Sequence, residues 1–363
     1  MFDIFSIIRR LLKIDRIKID NVIFSFHYKV TTVILVIFSL LVTNKQLFGD
    51  PIICMSYFRN SMINMYCWIQ STFTLPALTG AVVGEEVAHP GVAHNNSVNP
   101  EDGKEPLEVR HHKYYQWVSL FLFLQAGMFY LPRYIWKSWE GGRVRSLVDD
   151  LNLPILKGDV KQKRVAIAVD YFGKNFHHHN LYAYQFFLCE LLNFANVVGQ
   201  FFFTDRFLGY GFSTYGPRVV EDAQQDSGHD PKDEIFPKVA KCTFHAVGAS
   251  GTIARHDILC VLPLNILNEK IFVFLWFWFI VVAAVSAFGL LYRLATFSPG
   301  FRHLLLMGRS RLVPEDKIEA ISRRCHIGDW FMLLLLAKNM DPFVYKEFIH
   351  DLSPALVEKE HIS

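Results

Sequence analysis

Apolar residues are gathered into four long segments separated by polar stretches. The longest uncharged run, 271–292, has 22 residues. As a helix rising about 1.5 Å per residue, it would cross a hydrocarbon core about 30 Å thick. Segment 114–136 is uncharged over its first 18 residues and carries Tyr and Trp at both ends, as aromatic belts do. Segments 24–43 and 180–204 are shorter or interrupted by a charge. The pattern predicts an all-α membrane protein with four transmembrane helices.

Charged residues on the two sides of these segments indicate the orientation. Lys and Arg outnumber Asp and Glu by 6 to 3 in 1–29, 9 to 5 in 132–179 and 10 to 9 in 293–363. The balance reverses to 5 against 7 in 43–113 and to 7 against 9 in 205–270. Because loops rich in Lys and Arg stay in the cytosol, we expect cytosolic termini and a cytosolic middle loop. The basic stretch before the first segment is too long for a signal peptide.

The resulting layout is that of a multi-pass plasma-membrane protein. Its parts are a cytosolic N-terminal segment 1–23, spans 24–43, 114–136, 180–204 and 271–292, extracellular loops 44–113 and 205–270, a cytoplasmic loop 137–179 and a cytoplasmic tail 293–363. We expect some β structure in the extracellular loops and a helical cytoplasmic domain. Hydrophobic residues make up 52% of the chain, and the mean hydropathy is +0.22. The net charge of +3 gives no reason to expect nucleic acid as a partner.

Four cysteines fall in the two predicted extracellular loops. Cys54 and Cys67 lie in the first loop, and Cys242 and Cys260 in the second. Cysteines on the oxidising side of a membrane usually pair, so we predict two disulfides that brace these loops. Spacing alone leaves the pairing open, either between the loops or within each loop.

A zinc site is the alternative use of these cysteines. Cys242 and His245, and likewise His256 and Cys260, have the short spacing of zinc ligands. We expect no metal there, because paired extracellular cysteines usually oxidise.

Polar residues form a narrow stripe on the first span. Thr32, Ser39 and Thr43 lie within about 40° of one helical direction at 100° per residue. The stripe can face water, or its hydroxyls can bond to main-chain groups and neighbouring helices. Spacing does not separate these two interpretations.

The third span carries a stronger polar stripe. Its members are Glu190, Asn193, Asn196 and Gln200. A carboxylate facing lipid is costly, so the stripe should face the interior of the bundle, another subunit or a water-filled cavity. We expect interior packing, with channel tuning as the alternative. The nearby run His177, His178 and His179 is either a pH sensor or a solvated cluster.

One pentapeptide at the start of the second span is characteristic of a known family. Tyr114, Tyr115, Gln116, Trp117 and Val118 match the motif by which innexins are identified. The chain also resembles insect innexins, a family related to pannexins, at several other motifs along nearly its whole length. They include 136–142, 236–239, 262–265, 274–279 and 328–331. Virus-encoded innexins are similar, so a cellular and a viral origin both remain open.

The resemblance implies a subunit of gap junction channels and hemichannels that passes ions and small molecules between cells. Eight copies would form a ring, which would dock through its outer loops with the ring of an adjacent cell; other innexins and membrane lipid are further partners. The implied lining of the narrowest part of the pore is Met1, Phe2, Asp3 and Phe5. The first span borders the pore in such proteins, which favours water-facing positions for Thr32, Ser39 and Thr43. The implied disulfides are Cys54 with Cys260 and Cys67 with Cys242.

Three other functions are alternatives to a junctional channel. An enzyme would need a phosphate-binding loop, a metalloprotease motif or a nucleophile elbow, and none occurs, so we expect neither catalysis nor a cofactor. A hemichannel that never docks is the second, because Asn95 begins a glycosylation sequon in the first outer loop and a glycan there would hinder apposition. A four-pass adhesion protein without a pore is the third.

Overall fold

The structure is a computed structural model. It describes residues 16–56, 60–79, 81, 84–85, 87, 89–92, 108–148, 151, 158–225 and 231–360. Within these residues, four helices are long and apolar enough to cross a membrane. They are Val22–Phe48, Val118–Glu140, Asn180–Phe207 and Pro263–Ala295, hereafter the first to fourth spanning helices. The predicted all-α membrane fold is therefore confirmed.

The first spanning helix changes its winding along its length. Asn21 caps its start, since its side-chain oxygen accepts a hydrogen bond from the Phe24 amide at 2.7 Å. The next segment, Phe26–Thr31, is π-helical, and the α-helix resumes over Thr32–Phe48. A π-helical turn contains one residue more than the matching α-helical turn, so side-chain directions shift across it.

Two spanning helices have limits that hydropathy did not predict. The fourth begins at Pro263 rather than Ile271. Hydropathy missed its first part because that part contains the polar residues Asn265 and Glu269, which are buried in the structure. The second begins at Val118, after a short 3-10 turn at Tyr114–Gln116.

The chain divides into two compact units, with limits inside the four spanning helices. We call 34–127 with 197–281 the sheet unit, and 1–33 with 128–196 and 282–363 the helical unit.

The sheet unit contains a five-stranded antiparallel sheet of order β1-β5-β4-β2-β3. Its strands are Ile53–Met55 (β1), Thr72–Thr74 (β2), Arg110–His112 (β3), Val239–Val247 (β4) and Ile253–Val261 (β5). The β4–β5 hairpin comes from the second long loop, and its turn includes Gly251 at φ +78°, a left-handed conformation that favours glycine. The three short strands come from the first long loop. Both loops therefore build one sheet.

Among the described residues, the sheet unit also contains three shorter α-helices. They are Asn60–Gln70, Tyr215–Gln225 and Pro231–Ile235. The first places Ile63 and Cys67 in a small buried core with Ile52, Ala240 and Ile258.

The helical unit adds shorter helices to parts of the spanning ones. They are Arg143–Val148, Gly158–Lys174, Pro299–Arg309, Glu315–Arg324, Ile327–Asn339 and Pro342–Glu360. One apolar core joins them, with Trp136, Phe172, Trp330 and Phe348 completely buried.

Candidate functional site

The two long loops are joined covalently. Cys54 pairs with Cys260 and Cys67 with Cys242, so each disulfide runs from the first loop to the second. Cys54 on β1 lies directly opposite Cys260 on β5 in the sheet register. All four cysteines are buried. Their sulfur atoms are thus committed to disulfides, and the zinc alternative does not describe this arrangement.

The motif at 114–118 connects the first spanning helix with both loops. The Tyr115 ring lies 4.7 Å from the ring of Trp68, and the side-chain amide of Gln116 donates to the Trp68 carbonyl. The Tyr114 hydroxyl donates to the Ile235 carbonyl at 2.9 Å, and Gln46 donates to the Tyr115 carbonyl at 3.1 Å. The motif therefore fixes the position of the first spanning helix relative to segments of both loops.

Not every motif residue points inward. Tyr115 and Val118 are fully buried, whereas Trp117 is 58% exposed. An exposed tryptophan directly before a spanning helix is typical of the membrane interface.

The hydroxyls of the first spanning helix bond to main-chain oxygens. Ser39 donates to the Ser119 carbonyl at 2.8 Å, Thr43 to the Ser39 carbonyl at 2.8 Å and Thr32 to the His27 carbonyl at 3.4 Å. Thr32 and Ser39 are buried within the chain, and Thr43 is half-buried. These hydroxyls therefore have partners within the chain, and the pore-lining role of the stripe stays a prediction.

Glu190 on the third spanning helix forms a two-pronged ion pair with Arg293 on the fourth. Nε and Nη2 of Arg293 each lie 2.7 Å from a carboxylate oxygen of Glu190, and Asn21 donates to the same carboxylate at 2.6 Å. The Arg293 guanidinium also lies 4.6 Å from the centre of the Phe187 ring. Both charged side chains are 10% exposed. The structure places Glu190 in interior packing.

The rest of the polar stripe is divided between the two units. In the sheet unit, Gln125 donates to the Thr204 hydroxyl at 2.9 Å, which in turn donates to the Gln200 carbonyl at 2.8 Å. Gln200 is buried there. In the helical unit, Asn196 is half-buried and Asn193 is buried. Neither polar atom of the Asn193 amide has a hydrogen-bond partner among the described residues.

Asn193 borders a small polar cavity of the helical unit. His27, Asn193 and Ser286 line it together with Glu190 and Asn21, and its volume of about 10 Å³ approaches what one water molecule needs. Nε2 of His27 lies 2.6 Å from the Ser286 hydroxyl, while Nδ1 has no hydrogen-bond partner in the part of the chain that the structure describes. A water molecule here would satisfy the amide of Asn193 and the free ring nitrogen.

The sequence did not point to Arg293, His27 or Ser286 as parts of this polar group. Hydropathy ends the fourth span just before Arg293 and so assigns that residue to the tail. The available signal was Glu190 itself, since a carboxylate within a span needs a cation at a similar depth.

The three consecutive histidines have different surroundings. His179 is buried and its Nδ1 donates to Oδ1 of Asp329 at 2.9 Å, whereas His177 and His178 are exposed. Neither a uniform sensor nor a uniformly solvated cluster describes them.

Two groups of expected site residues lie outside the described residues. They are the N-terminal candidates Met1, Phe2, Asp3 and Phe5, and the glycosylation candidate Asn95.

Comparison with known proteins gives a consistent result. The family model described as Innexin matches residues 20–356. The chain is 52% identical to Innexin inx2 of Schistocerca americana, over 99% of both chains. It is 52% identical to Innexin inx2 of Drosophila melanogaster, over 99% of this chain and 98% of that one. Identity to Innexin shaking-B of Drosophila melanogaster is 42%, over 99% and 96% of the respective chains.

Proposed function

This chain belongs to the innexin family, and from that premise we propose how it works as a subunit of gap junction channels. Such channels pass ions and small molecules between cells. The family is one of channels rather than enzymes.

The main support for the membrane topology is the pair of disulfides between the loops. A covalent bond between the first and second long loops requires that both lie on one side of the membrane. The same requirement follows from four spanning helices, which are identified without reference to cysteine. Disulfides persist in oxidising surroundings, so that side is the extracellular one. The termini and the middle loop are then cytosolic, in agreement with the distribution of Lys and Arg.

We assign the docking of two rings to the sheet built by both loops. A rigid, cross-linked surface loses little conformational freedom on association. At the tip of the β4–β5 hairpin, Val247 and Ile253 lie opposite each other and are 74% and 71% exposed. An exposed apolar pair suits contact with the same hairpin of the opposing ring.

The pore itself requires several copies of the chain. We propose a ring of eight subunits, as the family resemblance implies, with other innexins as possible co-subunits. The N-terminal residues Met1, Phe2, Asp3 and Phe5 are the proposed lining of the narrowest part. Thr32 and Ser39 use their hydroxyls within the chain, so we give them no such role.

Recording from paired cells tests this function. We expect junctional current and transfer of small dyes between two cells that both express the chain. A hemichannel that never docks would give current in single cells only, and an adhesion protein would aggregate cells without coupling them. If Asn95→Gln creates coupling where the wild type has none, a glycan prevents docking.

The docking surface has its own test. Val247→Asp or Ile253→Asp should abolish junctional current and leave single-cell hemichannel current intact, because the change affects only the proposed contact. Val220→Asp is the matched control, since Val220 is an exposed apolar residue of the same unit outside the hairpin. Normal coupling in both hairpin variants would exclude the hairpin tip from docking.

A further inference from the structure

Two imidazoles and one carboxylate meet in the helical unit, where the loop before the third spanning helix contacts the start of helix Ile327–Asn339. His177, His326 and Asp329 each offer one ligand atom, and these atoms lie within 4.8 Å of one another. The two histidine rings are 4.1 Å apart between centroids, and Nδ1 of His177 lies 3.4 Å from Oδ2 of Asp329. Both histidines are exposed, whereas Asp329 is buried. The group is closed on one side and open to solvent on the other.

The carboxylate is held in place by several hydrogen bonds. The His177 amide donates to both oxygens of Asp329, at 3.1 and 3.2 Å, and the His326 amide donates to Oδ2 at 3.3 Å. Nδ1 of the buried His179 donates to Oδ1 at 2.9 Å. Carboxylates that bind metal ions are commonly oriented by such outer contacts. These hydrogen bonds hold the Asp329 carboxylate in place, so an ion would be reached by movement of the two histidines.

The backbone around the group is also specialised. His177 has φ +69°, a left-handed conformation that is unfavourable for a residue with a Cβ. Gly328 lies so close to the main chain of His179 and Asn180 that a Cβ would be within 2.4 Å of it, and its amide donates to the Asn180 side chain at 2.9 Å. Only glycine permits this approach, which brings Asp329 beside the histidine loop.

We propose that His177, His326 and Asp329 bind a Zn²⁺ ion, with water as the fourth ligand. Two imidazole nitrogens and one carboxylate oxygen form a set that Zn²⁺ accepts, whereas Mg²⁺ and Ca²⁺ prefer oxygen ligands alone. Zinc bonds of about 2.0–2.1 Å require the ligand atoms to move closer, by rotation of the two exposed imidazoles. The His326 ring also accepts a hydrogen bond from the Asp329 amide as the cap of the helix, and this bond would have to adjust when the ion binds. The bound ion would link the loop before the third spanning helix to helix Ile327–Asn339.

Zinc binding to the full-length assembly tests the site. The protein is purified with a tag that lacks histidine, and bound Zn²⁺ per subunit is measured by equilibrium dialysis for the wild type, His177→Asn, His326→Asn and His178→Gln. Asn tolerates the left-handed conformation of His177 and is a favourable residue at the start of a helix, so both ligand variants should fold. His178 is the matched control, because it is exposed in the same loop and its ring contacts only the Phe176 carbonyl among described hydrogen bonds.

We expect each ligand variant to bind one Zn²⁺ fewer per subunit, or to bind it at least about tenfold more weakly, since even the loss of an outer contact commonly costs that much. His178→Gln should bind as the wild type does. Equal zinc binding by the wild type and both ligand variants would overturn the proposal, and so would an equal loss in His178→Gln.

Thermal unfolding provides a second readout that separates binding from misfolding. Zn²⁺ should raise the unfolding midpoint of the wild type and of His178→Gln, but not of the two ligand variants, because only the folded site binds the ion. Mg²⁺ at the same concentration should have no such effect. If both ligand variants unfold at the wild-type midpoint without metal and still gain the full shift with zinc, the site lies elsewhere.

Discussion

The core under the sheet and the core of the helical unit are stabilised by different chemistry. In the part of the chain that the structure describes, the core under the sheet has nine buried residues, four of which are the disulfide cysteines. The core of the helical unit has 33, many of them aromatic. Buried apolar surface contributes about 25 cal/mol per Å², so the helical unit gains much more from packing than the sheet does. A small core depends on covalent links, as small secreted domains do.

Removing one disulfide should have the largest effect on junctional current, and it tests this contrast between the two cores. Cys54→Ser combined with Cys260→Ser should abolish junctional current, because losing such a link from a small core costs about 2–5 kcal/mol. The matched control is Cys325→Ala, which removes a buried free cysteine from the helical unit. Surface expression and paired-cell current measure the result. Equal loss of coupling in the control would show that the two units do not differ in this way.

Breaking the ion pair of the helical unit should cost a comparable amount of stability but have a smaller effect on junctional current. Glu190→Leu leaves Arg293 buried without its carboxylate partner, and breaking a buried pair in this way costs about 3–5 kcal/mol of stability. We expect reduced surface expression and an unchanged reversal potential in the channels that remain. Glu190→Leu with Arg293→Leu should recover most of the expression. A shifted reversal potential in Glu190→Gln would instead place the carboxylate at the conduction path.

Acid should weaken the sheet. Burial, together with the smaller effects of the neighbouring Arg110 and His111, lowers the pKa of His112 to about 3. An unfolded imidazole has a pKa near 6.5, so the unfolded state binds more protons between these values. The free energy of unfolding then falls as the pH drops below about 6.5, by up to about 1.4 kcal/mol per pH unit.

The acid effect is measured by chemical unfolding at pH 7 and at pH 5. A probe in each unit reports the unfolding of that unit. His112→Gln should flatten the pH dependence of the sheet probe, because Gln does not titrate. Gln also keeps a polar group near the Thr74 hydroxyl, which lies 2.8 Å from Nε2 of His112. A pH dependence that persists in this variant would assign it to other groups.

The smallest expected effect concerns Ser39 in the sheet unit. Ser39→Ala removes a hydrogen bond to the Ser119 carbonyl and should cost about 1 kcal/mol, with no change in unitary conductance. Single-channel recording decides between the two interpretations of the polar stripe. A clear change in conductance would show that this hydroxyl faces the water of the pore after all.

Much of the fold was accessible from sequence, because lipid imposes strict rules. A spanning helix needs about 20 apolar residues, and the cysteines on the oxidising side pair. These rules identify the four helices and the braced loops. They do not identify β1, β2 and β3, which have three residues each. β1 and β2 are defined by pairing with the β4–β5 hairpin, and β3 by pairing with β2.

The polar contacts of the candidate site were less accessible, because they join residues far apart in the chain. Glu190 meets Arg293, and His179 meets Asp329, only after the helices have packed. Helical periodicity places Ser39 on a polar face, but it does not tell a water-filled pore from the carbonyl of a neighbouring helix.

The π-helical turn Phe26–Thr31 affects how any scan of the first spanning helix should be read. The extra residue in this turn advances the angular phase of everything after it, so positions on either side no longer repeat at one constant interval. Effects of substitutions before Phe26 and after Thr31 should follow two separate helical wheels. Deleting one residue within the turn would merge the wheels and leave the two halves of the helix in nearly the same relative rotation, because the shortened turn would be α-helical.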